Sequence, residues 1–476
     1  MATLQLTPTG SIFTPHHPVP PDPTSSTAPS LNSGRKPIDV GELLDNGQWN
    51  GYLKLLVSLT ALTIIFDGAD NQLLGIAIPS LIKEWALPRS AFAPLLAIGM
   101  AGMIVGGTTG GLVGDRFGRK TALLGSVVLF GVATLGISFV NSVTSLGILR
   151  FFAGIGLGAA MPNAAALTSE YVPRRQRPIA VTLTIVCVPL GGMLAAWTAE
   201  HVLPAYGWRT LFVIGGLAPL VTASVLIWLL AESPRFLARA PQHWPKLNRF
   251  MERAGHPMPA SAGFADPAEG NVPKATLAAL LAGDFRRDTI GLWIAFASCM
   301  LAVYASFSWI PTLLSGAGLG PLASRGLMCF NLGGVVGAIL GAIVISRFGS
   351  KSTMLTLTAA AVASSFALGA VTIDRSISTA LLLTLLTLSG TMINAVQTTM
   401  YALAAHVYPA AIRATGVGSA ASVGRIGGLM SAYVGAWAMD VGGTKTYFIT
   451  IGGVLIATFA GLALVQHHVT RSSERR

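Results

Sequence analysis

Apolar stretches of about twenty residues recur twelve times in this chain, at about 53–81, 91–113, 121–140, 143–170, 178–203, 209–231, 290–314, 324–345, 351–373, 378–406, 414–439 and 445–467. A stretch of that length crosses the roughly 30 Å hydrocarbon core of a bilayer as one helix. Lipid offers no partner to a backbone N–H or C=O, so each stretch has to satisfy its own backbone by coiling. The expected fold is therefore an all-α polytopic membrane protein with twelve transmembrane helices. Composition agrees, with 52% hydrophobic and 11% charged residues against about 25% charge in a soluble domain. The 54 glycines suit helices that pack closely in lipid.

The polar segments set the organisation. Residues 1–45 are rich in Pro, Ser and Thr and read as a disordered cytoplasmic tail. They lack the charged start and apolar core of a cleaved leader. Two six-helix bundles, 46–231 and 289–467, flank a central loop at 232–288, and 468–476 form a second tail. The net charge of +12 would suggest nucleic acid in a soluble chain. Here the basic residues collect in the even-numbered turns, among them Arg116, Arg119, Lys120, Arg174, Arg175, Arg177, Arg347 and Lys351, and in the central loop. By the positive-inside rule both termini and the loop lie in the cytoplasm of a cell whose inner membrane holds the protein. Nucleic acid is not an expected partner, and the lipid bilayer is. Cys187, Cys299 and Cys329 fall within spans at irregular spacing, which argues for small apolar roles rather than a metal site.

The two bundles repeat each other. Asp115-Arg116-Phe117-Gly118-Arg119-Lys120 is echoed by Ser346-Arg347-Phe348-Gly349-Ser350-Lys351, and Ile78-Pro79-Ser80-Leu81 by Ile310-Pro311-Thr312-Leu313. Glu170-Tyr171-Val172-Pro173 with Arg177 is echoed by His406-Val407-Tyr408-Pro409 with Arg413, and Gly191-Gly192 by Gly427-Gly428. All four pairs sit at offsets of about 231–236 residues. Six helices return the chain to its starting side, so the halves are parallel, pseudo-symmetric repeats that place a binding site at their interface near mid-bilayer.

Against this apolar background, Phe66-Asp67-Gly68-Ala69-Asp70-Asn71-Gln72 stands out in the first span. Two carboxylates three residues apart share one side of a helix. A charge at membrane depth costs about 2.5–3.5 kcal/mol or more, so Asp67 and Asp70 need a partner, a proton or a wet cavity. One reading makes one of them a helix-joining ion pair; the other makes them a proton and substrate site. Asp67 lies about 21 Å into its span from one side, and Arg150 about 10 Å into span 4 from the other. The depths coincide, which makes Arg150 a partner for either acid. Arg425 in span 11 has a similar depth and no acid on its own helix within four residues. It is available to a substrate carboxylate, or to Asp67 or Asp70 across the interface. At the repeat offsets Asp67 maps to Cys299, Asp70 to Ala302 and Arg425 to Pro189, so none of these charges is common to both halves.

Gly111-x-x-Gly114-Asp115-Arg116-x-Gly118-Arg119-Lys120 resembles the loop 2–3 signature of the major facilitator superfamily. Arg150-Phe151-Phe152-Ala153-Gly154-Ile155-Gly156-Leu157-Gly158 is similar to its span 4 element. Asp67-Gly68-Ala69-Asp70 resembles the first-span element of the aromatic acid:proton symporters, with Glu170, Arg413 and Arg425 in further agreement. The resemblance covers residues 50–467 and implies that fold and an alternating-access carrier. It implies proton coupling through Asp67, Asp70, Arg150 and Glu170, and a gate formed by Gly111, Asp115, Arg116, Gly118, Arg119, Lys120 and Arg413. The gate glycines are expected to let spans 2 and 11 approach, with Asp115 pairing across the halves. Polar Asn331, Asn394, Gln397 and Tyr401 are expected to orient a ring substituent beside Arg425. Phe66, Tyr304, Phe307, Trp309 and Phe330 are the aromatic candidates for stacking, with Phe66 and Trp309 foremost. Span 8 offers Asn331 where some relatives carry a His.

The implied function is proton-coupled import of a small aromatic carboxylate of the hydroxybenzoate or benzoate class by a monomer, with the proton as coupling ion and no cofactor. The alternatives are carriage of another organic acid and proton-coupled drug export. Val188-Pro189-Leu190-Gly191-Gly192 fits the exporters' span 5 signature poorly. An enzyme finds no support, since the sequence holds no nucleophile elbow, phosphate loop or metal-ligand cluster.

Overall fold

The structure is a computed structural model that describes residues 38–259, 263–265, 277–281 and 285–468. Span 1 is Gly51–Trp85, span 2 Ala93–Phe117, span 3 Arg119–Ile137 and span 4 Val143–Tyr171. Spans 5 and 6 share the stretch Arg177–Leu229, which breaks at Gly207, where φ is 75°. Span 7 is Phe285–Gly316, span 8 Ala323–Phe348, span 9 Ser350–Ala370 and span 10 Thr379–Val407. Spans 11 and 12 share Ala410–Leu464, broken at Gly442 and Gly443, the latter with φ 63°. Only glycine turns a chain through such angles cheaply, so ten long helical stretches among the described residues make twelve crossings. The face where span 1 starts and span 12 ends is called here the terminal face, and the opposite one the far face.

The internal repeat is visible in the packing. Gly118 and Gly349 both end a helix at positive φ, 99° and 80°. Val172 and Tyr408, each the residue before a proline, are both extended, as the proline ring demands. A β-carbon at Gly191 would overlap the Ile65 carbonyl, and one at Gly427 the Ala297 carbonyl. Span 5 thus lies against span 1 as span 11 lies against span 7. Gly106 against Ile155 and Gly337 against Thr391 repeat the relation for spans 2 with 4 and 8 with 10. Without a hydrophobic drive between helices in lipid, this close approach is what holds the bundle.

Two expectations at the boundaries need correction. Residues 1–37 lie outside the described residues, but 38–45 are not a disordered tail. Ile38–Asp39 pairs in parallel with Phe264–Ala265, and Asp39 caps the helix Val40–Asp45 by accepting from the Glu42 amide at 3.1 Å. Val40 and Leu44 are buried, and Asp45 meets Arg177 at 2.5 Å. This hexamer has enough apolar surface and a good enough cap to dock. The central loop is likewise partly built, with helices Pro234–Ala238 and Trp244–Arg253 held by buried Leu237, Leu247, Phe250 and Met251. Span 7 begins at Phe285, earlier than hydropathy indicates, because Arg286, Arg287 and Asp288 continue the helix past the apolar run.

Candidate functional site

Span 1 starts where the Asn50 side chain accepts from the Leu53 amide at 3.0 Å, and runs unbroken past its two acids. Three residues along a helix turn the side chain by about 60° net and raise it about 4.5 Å. That is enough to separate the acids. Asp70 points into the first half, where its Oδ2 accepts from the Arg150 guanidinium at 3.1 Å and its Oδ1 from the Thr134 hydroxyl. Arg150 also donates to the backbone carbonyls of Asp70 at 3.1 Å and Asn71 at 3.2 Å. Both side chains are almost fully buried. This is a satisfied ion pair joining spans 1, 3 and 4, which is the condition for a buried charge to persist.

Asp67 faces the other half. It is buried, and no donor among the described residues reaches its Oδ1. It lines a cavity of about 100 Å³ between the halves, shared with Asn71, Tyr304, Asn394, Gln397, Tyr401 and Arg425. Apart from Thr398 the remaining walls are apolar, including Leu157, Met103, Met300 and Phe307. The ion pairs of the described residues leave Arg425 with no carboxylate within 4.0 Å. Its guanidinium lies against Gly107 of span 2, at a place where any β-carbon would strike it. The site thus opposes one buried acid to one half-buried base across a void of about 100 Å³. With Asp67 ionised it is neutral, so an added carboxylate leaves one negative charge that a single proton on Asp67 cancels.

The other expected site residues divide. Asn394, Gln397 and Tyr401 line the cavity, Asn394 donating to the Gly390 carbonyl at 2.9 Å and Tyr401 meeting Phe296 edge-on at 5.1 Å. Phe307 and Tyr304 also line it, with Phe330 packed behind Phe307 at 5.9 Å. Phe66 does not: it is turned about 100° from Asp67 and packs against a cluster of mainly first-half residues that includes Ile64. Nor does Trp309, which is fully buried against Gly435 of span 11. Asn331 is also elsewhere. Its amide and that of Gln72 exchange two hydrogen bonds, at 3.0 and 2.8 Å, and clasp span 8 to span 1. Asn331→Leu would orphan the buried Gln72 amide, so a loss of about 1–3 kcal/mol is expected, read as a lower unfolding temperature in detergent. Glu170 lies at the end of span 4 and accepts from the Ser233 hydroxyl; it ties the central loop to the bundle and is not part of the cavity.

The gate residues sit at the terminal face. Asp115 pairs with Arg119 of its own half, and its carbonyl accepts from Arg239 at 2.9 Å. The expected pairing across the halves is absent among the described residues. Arg413 donates to the Tyr408 carbonyl at 3.2 Å, and Lys120 to that of Ile227 at 2.7 Å. Arg116 stacks over Phe117 at 5.5 Å. A β-carbon at Gly111 would meet nothing within 4 Å, so this glycine holds no close helix contact here. The described ion pairs that do cross between halves lie at the far face, Glu200–Arg325 at 2.5 Å and Arg89–Asp440 at 4.0 Å. The far face is the tied one in this conformation. At the terminal face the motif expected to pair across the interface is satisfied within its own half and the central loop.

Three contributors escaped the sequence reading. A β-carbon on Gly68 would overlap the Val188 carbonyl, so the glycine between the acids is there to let span 5 close on span 1. Gly107 is the seat of Arg425, and Asn71 is the polar neighbour of Asp67 on the cavity wall. Only Asn71 had a signal available, as a polar residue one helical turn from Asp67.

Comparison with known proteins places this geometry. The model of the Major Facilitator Superfamily matches residues 60–432, and again 327–475. A gallate transporter of Pseudomonas putida is 32% identical over 431 residues, covering 90% of this chain and 95% of that protein. The 4-hydroxybenzoate transporter PcaK of Acinetobacter baylyi is 33% identical over 437 residues, covering 90% and 94%. Among solved structures, a D-xylose–proton symporter superposes with a TM-score of 0.68 at 18% identity over 88% of this chain and 99% of that one, a likeness of fold. With a cavity at the interface, twelve crossings and these relatives, the chain belongs to the major facilitator superfamily of multi-pass membrane transporters and is not an enzyme.

Proposed function

We propose that the protein imports a small aromatic carboxylate together with at least one proton, by alternating exposure of the cavity between its halves. The observation that carries the reading is the opposition of Arg425 to Asp67, whose Oδ1 no described donor reaches, in a mostly apolar cavity between the halves. A planar guanidinium takes a carboxylate through two parallel bonds. Aromatic and methionine walls suit a ring, and Asn394, Gln397 and Tyr401 offer donors and acceptors to its substituents. Relatives named for gallate, 4-hydroxybenzoate and benzoate support the substrate class. A membrane potential, negative inside, opposes a bare anion by about 2.3 kcal/mol per 100 mV. One proton removes that opposition and a second makes entry favourable.

Basic turns at the terminal face support its assignment to the cytoplasm of a bacterial inner membrane. Each chain contains a whole cavity, which supports action as a monomer.

The test is uptake of labelled benzoate, 4-hydroxybenzoate, gallate and shikimate into proteoliposomes under an inward proton gradient. One or more of the aromatic acids should accumulate and lose accumulation when a protonophore is added. Accumulation of shikimate alone, or uptake indifferent to the protonophore, would contradict the reading.

A further inference from the structure

A second, larger cavity of about 510 Å³ lies at the terminal face, away from the transport site. It is framed by the starts of spans 1 and 3, the end of span 6 and the central-loop helix Trp244–Arg253. Lys246, Arg249 and Arg253 line it, at positions i, i+3 and i+7 of that helix, and so form one face. All three are exposed, and none has an ion pair with a described carboxylate. Leu247, Phe250 and Met251 are buried, so the helix is docked and presents its cations in a fixed place. Arg253 also lies over the Tyr52 ring at 5.8 Å.

The one acid among the described lining residues, Glu232, already has backbone partners. Its Oε1 accepts from the backbone amides of Lys120 at 2.8 Å and Ser233 at 2.9 Å. Lys120, Lys246, Arg249 and Arg253 outnumber that acid among the described lining residues, so the cavity is net positive, with arginine forks and lysines suited to phosphate oxygens.

Its mouth is apolar. Trp228 is 87% exposed and Phe117 57% exposed, at the ends of spans 6 and 2. Exposed tryptophan at a span end marks the level of the lipid headgroups. Next to it Ile227 and Leu229 face outward along the bundle. A cationic cup that opens sideways at headgroup level, beside an apolar wall, fits a ligand with an anionic phosphate head and acyl tails.

We infer that this cavity is a binding site for the phosphate headgroup of an anionic glycerophospholipid from the leaflet at the terminal face. Bound there, the lipid links spans 1 and 3 of the first half to the central-loop helix. The inference does not depend on the identity of the transported acid. Basic pockets between membrane helices bind such headgroups by charge and shape.

The experiment is a competition assay on the full-length chain in a neutral detergent, with fluorescent dioleoyl phosphatidylglycerol as probe. Unlabelled phosphatidylglycerol should displace it, and phosphatidylcholine with the same chains should need about ten times the concentration or more. Glycerol 3-phosphate separates a soluble phosphate ester from a lipid and should not compete at lipid-equivalent concentrations. Lys246→Gln with Arg249→Gln should weaken probe binding about tenfold. Arg286→Gln with Arg287→Gln, the same loss of charge on exposed positions of span 7, should leave it unchanged. Trp228→Ala should weaken the lipid by a smaller factor. Equal competition by phosphatidylcholine, equal competition by glycerol 3-phosphate, or wild-type binding by the Lys246/Arg249 variant would each overturn the assignment.

Discussion

Asp70→Ala should largely unfold under conditions where Asp67→Ala is as stable as the wild type or more so. The two acids are three residues apart, yet their surroundings differ in kind. Asp70 meets Arg150 and Thr134 with both oxygens, at 1% side-chain exposure. Its removal leaves the Arg150 guanidinium buried among spans 1, 3 and 4 with only carbonyl partners. Breaking one partner out of a buried pair costs about 3–5 kcal/mol, on the order of 10 °C in the unfolding midpoint. Asp67 has an oxygen that no described group satisfies, so its removal takes away a cost. Thermal unfolding of both variants in one detergent measures the difference. Equal midpoints for the two would mean that the division into a structural acid and a working acid is wrong.

Arg425→Ala should lose at least about 30-fold in equilibrium binding of the transported acid, since truncating one member of a hydrogen-bonded charge pair costs about 2–5 kcal/mol. Arg425→Lys retains the charge and loses the planar fork, and a loss of about tenfold is expected. The seat on Gly107 sharpens this: the guanidinium packs against span 2 where the glycine leaves room for it, and a flexible ammonium would lose that contact. Scintillation-proximity binding with labelled substrate gives both numbers. Alanine at 425 with affinity within threefold of wild type would remove Arg425 from the site.

The architecture was legible in the sequence because each of its causes is local or repeated. Twelve apolar runs need only a bilayer thickness to be read. The duplicated glycines at 191 and 427, and the cap glycines at 118 and 349, mark the same contacts and turns twice. The site was legible in part. Charges in an apolar run are conspicuous, so Asp67, Asp70, Arg150 and Arg425 all stood out. Which acid serves which base was not readable, because 60° of helix rotation separates their surroundings and depth alone could not resolve it. Phe66, Trp309 and Asn331 were grouped with the site by type and depth. Their directions are set by packing against residues far away in sequence: Asn331 against Gln72, and Trp309 against Gly435. The ordered segment at 38–45 was hidden because its partner, Phe264–Ala265, is more than 200 residues away.

The central claim is that Asp67 carries the proton for a carboxylate held by Arg425. It is tested most directly by measuring counterflow and gradient-driven accumulation of one labelled aromatic acid in the same Asp67→Asn proteoliposomes. Asparagine keeps the shape and fixes the site in its proton-loaded charge state. The account predicts substrate exchange at rates near wild type, with accumulation no longer responding to a pH gradient. An imposed difference of about one pH unit, worth 1.36 kcal/mol per proton, would yield about tenfold accumulation in the wild type and none in the variant. Asp67→Asn vesicles that still concentrate the acid tenfold would contradict the account, and the coupling proton would then have to travel through another group.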